Sequence, residues 1–92
     1  MRVRICGRYW DLSWVPQTEL GPDEDGMCSL PDIPRKYIHV AVELPPLIDL
    51  ETVIHECLHA ADPNQCELWV DTTARDLSRI LWRLGYRPPS PD

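Results

Sequence analysis

His55, Glu56 and His59 sit in the run His55-Glu56-Cys57-Leu58-His59, an H-E-x-x-H pattern able to hold and use a metal ion. On a helix, residues four apart share a face, so both imidazoles can reach one ion from a single rigid element. Glu56 follows the first ligand, where it can meet a metal-bound water without taking a coordination position itself. Two ligands and a base in five residues are the parts of metal-assisted hydrolysis. Three fixed positions also arise by chance, so the flanks must decide.

Leu50, Val53, Ile54, Cys57, Leu58 and Ala61 recur at the helical period and mark an apolar stripe. Beside it runs a polar line of Glu51, His55, His59 and Asp62. The pattern therefore predicts a helix over Leu50–Asp62, with Asp49 as N-cap after Pro45-Pro46 and with Pro63 stopping it. Val70, Ala74, Leu77, Leu81 and Leu84 make the stripe of a second helix, expected over Gln65–Leu84.

A catalytic zinc usually takes three protein ligands and keeps a fourth position for water. Extending the second stripe back by three residues lands on Glu67, which makes it the leading third ligand. Asp71, one turn on, is placed to accept a hydrogen bond from the free ring nitrogen of a ligating histidine. Glu67 also fits a capping box with Asn64 as N-cap. Asp62, expected to cap the second helix or orient His59, and Cys66, whose thiolate would bind zinc well, are the other third-ligand candidates.

His55-Glu56-x-x-His59 followed by Glu67-x-x-x-Asp71 on the next helix resembles the gluzincin zinc metallopeptidases. In those, the second helix supplies the third ligand, and an Asp one turn on supports a histidine. From Gly26 to Tyr86 the chain also resembles the small phage and bacterial H-E-x-x-H proteins related to the ImmA/IrrE peptidases. These run as a short strand, here Gly26-Met27-Cys28, an alternating strand, here Tyr37–Val42, the metal helix and a closing helix. The resemblance implies a zincin-like fold, a zinc cofactor and a strand beside the metal helix on which an extended substrate lies.

Composition suits a minimal domain. Ninety-two residues make one unit with a modest core. Residues 1–87 are expected to form it, with 88–92, rich in proline, as a disordered tail. Nine Lys and Arg against fifteen Asp and Glu give a net charge of −6. That balance speaks against nucleic acid or an anionic membrane as partner and leaves a peptide or protein. The acidic residues concentrate in Glu19–Asp25, read as a solvated loop. No signal or membrane-spanning run is visible, so a cytoplasmic setting and four reduced cysteines are expected. Cys6 and Cys28 fall in expected strands, with Cys28 also a candidate switch ligand.

Val3–Cys6 and Tyr9–Val15 have strand composition, with a turn at Gly7-Arg8, and a short strand is expected at Met27–Leu30. Sequential strands followed by sequential helices predict an α+β domain. Three or four antiparallel strands would pack on the helix pair, with Tyr37–Val42 as the edge that receives a peptide. Tyr37, His39, Tyr86 and Arg87 are candidates for stabilising the oxyanion. Trp69 and Trp82 fall off the second stripe and could pack on the sheet or support self-association. Two functions follow: a zinc-dependent metallopeptidase with Glu56 as general base, or a non-catalytic zinc-stabilised protein-interaction module. A covered Tyr37–Val42 edge would favour the second.

Overall fold

The computed structural model describes residues 1–89, so the end of the expected tail, residues 90–92, lies outside the described residues. The chain is an α+β fold with strands β1 (Arg2–Ile5), β2 (Arg8–Val15), β3 (Gly26–Cys28) and β4 (Tyr37–Ala41). Helices α1 (Pro46–Ala61) and α2 (Glu67–Arg83) follow. No helix among the described residues is long and apolar enough to cross a membrane.

β1 and β2 form a hairpin whose turn is Cys6-Gly7, one residue earlier than expected. Cys6 has φ of 48° and Gly7 of 79°. Two successive positive-φ residues are what a two-residue hairpin turn twisted to match its strands requires. Cys6 is thus an exposed turn residue and not part of a strand.

The four-stranded sheet runs β1-β2-β4-β3 and is mixed: β4 pairs parallel to β2 and antiparallel to β3. The expected all-antiparallel sheet is therefore corrected, as is the placement of β4 at the edge. After β2 the chain crosses to the outside, descends as β3 and returns as β4 through the gap between them. Ile38, Val40 and Ala41 are buried and Tyr37 and His39 half-buried, which fits an interior strand. The outer strand is β3.

Trp10, Leu12, Ile38 and Val40 face α1 and pack with Ala60 in the main core. By strand alternation Val15 and Ala41 face the other way, where they meet Leu20. Each fully buried aliphatic side chain contributes roughly 1.5–3 kcal/mol. Val53 and Cys57 of the expected α1 stripe join this core, but Ala61 is exposed and Leu50, Ile54 and Leu58 are only half-buried. The buried residues of α1 are instead Thr52, Glu56 and Ala60, so the sheet-facing side is rotated towards the polar flank.

α1 begins four residues before the expected start. Pro46 occupies its first turn, where a missing N–H costs nothing and the fixed φ is already helical. Asp49 is consequently inside the first turn and not the N-cap. Its carboxylate accepts a hydrogen bond from the Trp14 indole N–H at 2.9 Å, tying α1 to β2.

α2 packs on α1 and not on the sheet, so the sheet is covered by one helix and not by the pair. Its buried line is Val70, Ala74 and Ser78. Leu77 and Leu84, assigned to the core by periodicity, are exposed. The N-cap is Cys66, without a side-chain cap, so the Asn64 capping box does not form.

Candidate metal centre

α1 and α2 lie side by side with the polar line of α1 turned to α2. Arg79 donates to Glu51 at one end, and His55 and His59 meet the first two turns of α2 at the other. The short connection through Pro63 and Asn64 holds Glu67 opposite His59. In this turn the Asp62 carboxylate accepts the Asn64 backbone N–H at 3.1 Å.

Three ligand atoms converge there. His55 Nε2 lies 3.1 Å from His59 Nε2. Glu67 Oε1 lies 3.2 Å from His55 Nε2 and 3.3 Å from His59 Nε2. Tetrahedral zinc with bonds of about 2.0–2.1 Å spaces neighbouring ligand atoms about 3.3 Å apart. The triangle therefore has the dimensions that one zinc ion needs. His55, His59 and Glu67 form a three-ligand group among the described residues, and neither Asp62 nor Cys66 belongs to it.

Asp71 Oδ1 is 3.3 Å from His55 Nδ1. An Nδ1–H directed at this carboxylate leaves the Nε2 lone pair facing the other two ligands, which is the tautomer a metal requires. No partner for His59 Nδ1 is found among the described residues. The Glu67 side chain remains 65 % exposed, so the site opens to solvent on the α2 side. Asp71→Ala is expected to weaken zinc affinity roughly ten- to a hundredfold, as loss of such a supporting partner typically does. Competition with a chromophoric chelator measures this, and an unaltered affinity would remove Asp71 from the site.

Glu56 points to the sheet side of α1 and is only 8 % exposed. No hydrogen bond to its carboxylate is found among the described residues. Burial pushes its pKa up, the two histidines pull it down, and Glu24 and Glu67 add to the rise. A carboxyl whose pKa is raised by burial beside two histidines is the kind of group that gathers at functional sites. Behind it runs β3: a Cβ on Gly26 would stand 2.8 Å from Thr52 Cγ2 and 3.1 Å from Glu56 Cγ. Only glycine lets the outer strand pass α1 this closely. Sequence reading missed this role of Gly26, although a lone glycine opening a strand is a sign of close backbone approach.

Burial, with Glu56 adding to it, raises the Cys28 thiol to about 12, and Cys57 is raised by the same causes. Cys28 is not part of the three-ligand group found among the described residues. The four oxyanion candidates lie elsewhere. Tyr37 and His39 stack at 4.4 Å on the sheet face turned away from α1. Tyr86 and Arg87 follow the far end of α2, where Arg87 covers the Trp82 ring at 3.5 Å and donates to backbone carbonyls. Trp82 therefore packs under Arg87.

Compared with family models, curated proteins and solved structures, the chain finds no match. Its chemistry rests on its own geometry.

Proposed function

We propose that this chain is a zinc-dependent metallopeptidase of gluzincin-like design, with His55, His59 and Glu67 as ligands and Glu56 as general base. The observation that carries the reading is the triangle of His55 Nε2, His59 Nε2 and the Glu67 carboxylate at 3.1–3.3 Å. A buried glutamate one residue after the first ligand adds the second requirement of hydrolysis. A purely structural site has no use for it.

Zinc held there would polarise the scissile carbonyl and lower the pKa of a water in the open position. Glu56 would take a proton from the water that attacks the carbonyl carbon. It passes the proton to the amine nitrogen as the C–N bond breaks. Asp71 keeps His55 in the ligating tautomer throughout. The expected substrate platform, the edge of β4, is covered by β3, and β3 takes over that part. The bonds Ser29 N–H to Tyr37 O and Ala41 N–H to Asp25 O put residues 25, 27 and 29 on the paired side. Alternation then turns the backbone groups of Gly26 and Cys28 away from β4; Gly26 is buried against α1, so the half-buried Cys28 is where an extended peptide would pair. A cytoplasmic setting suits the four unpaired thiols.

The covered edge of β4 also favours a second reading, a zinc-stabilised protein-interaction module. So does the lack of an oxyanion donor among the four candidates. The test is cleavage of extended peptides by zinc-loaded protein, with products identified by mass spectrometry. Loss of cleavage with a chelator and recovery with zinc support the peptidase. Firm zinc binding without turnover on any peptide favours the module.

A further inference from the structure

Helix α2 packs chiefly on α1 and carries a second apolar face that nothing among the described residues covers. Trp69, Thr73, Leu77, Ile80 and Leu84 follow one another at spacings of four, four, three and four. They form a stripe beside the buried line Val70, Ala74 and Ser78. Ile80 is 54 % and Leu84 68 % exposed, and Trp69 and Leu77 are exposed too. The stripe runs along about 22 Å of helix. From Thr73 to Leu84 its spacing is that of a coiled-coil seam.

We propose that α2 pairs with α2 of a second copy of this chain, antiparallel about a two-fold axis. The charges beside the seam choose both the partner and the direction. Asp76 and Arg83 each precede a seam leucine, so they lie on the same border of the stripe, two turns apart. Neither makes an ion pair among the described residues. Setting Leu77 against Ile80 of the second copy brings Asp76 opposite the second copy's Arg83, and the two-fold axis repeats that pair. A parallel arrangement would put Asp76 opposite Leu81 instead and leave both charges unmatched. The stripe is thus complementary to itself in one orientation. Its other border is closed by α1, which leaves room for one partner helix. A single helix pair buries less than the roughly 1,200 Å² of a standard interface, so the dimer is weak and forms with rising concentration.

Sedimentation equilibrium of the full chain, from micromolar to millimolar, tests the pairing. The average mass is expected to rise from one chain towards two. Asp76→Arg places like charges at both symmetric contacts and is expected to raise the dissociation constant roughly tenfold. Combining it with Arg83→Asp is expected to restore the original value. Ile80→Glu, at another exposed seam position, is expected to keep the protein monomeric, with circular dichroism confirming an intact helix content. One-chain mass at every concentration would overturn the proposal, as would association beyond two chains. A double charge swap as weak as the single one would also overturn it, because charge pairing would then play no part.

Discussion

Glu56→Gln is expected to lower peptide hydrolysis by roughly two to four orders of magnitude, the range spanned by general acid–base catalysis. One zinc per chain should still bind, because glutamine keeps the volume of glutamate and leaves all three ligands in place. The variant should also be at least as stable as the parent. It removes the charge from a side chain whose burial raises its pKa, and a charge held in a buried position opposes folding. Three readouts thus separate the roles: rate, metal content and melting temperature. Unchanged turnover in this variant would mean that Glu56 is not the base, and the metallopeptidase reading would fall with it.

Removal of zinc should have the largest effect on stability. Binding to the folded state alone adds RT ln(1 + [L]/Kd), about 4 kcal/mol when free metal exceeds its dissociation constant a thousandfold. For a domain of this size each kcal/mol moves the melting temperature by about 4–8 °C. Chelation is therefore expected to lower it by roughly 15–30 °C from the zinc-saturated value. The loss should be felt first between α1 and α2, because the ligands come from both helices and α2 rests chiefly on α1. Equal melting curves with and without chelator would show that no metal stabilises the fold, and the His55–His59–Glu67 assignment would not survive.

The convergence of His55, His59 and Glu67 was legible because it depends on local geometry. His55 and His59 share a helix face whatever the fold, and the short turn through Pro63 leaves Glu67 little freedom. Periodicity also found both helices. It misjudged which sides they bury, for a physical reason. Glu56 and Thr52 face the sheet although they are polar, and Ser78 replaces Leu77 in the seam between the helices. An apolar stripe marks a buried face only when polar residues do not take that face, and here Thr52, Glu56 and Ser78 do. Sheet order was least legible. β4 alternates and is also an interior strand, and strand direction leaves no trace in such a pattern. The three apolar residues Val40-Ala41-Val42 were the available hint that β4 lies inside the sheet.

The missing side chain at Gly26 has a consequence for how far the site can vary. Strand and helix touch there backbone to side chain, with no slack to absorb a larger residue. Any side chain at position 26 would push on Thr52 and Glu56 together, and so on the helix that carries both histidines. The outer strand and the ligand helix are in effect one solid part with a fixed gauge. Changes that retune the site must then come from the exposed side, through α2 and the loop before β3, where the packing leaves tolerance.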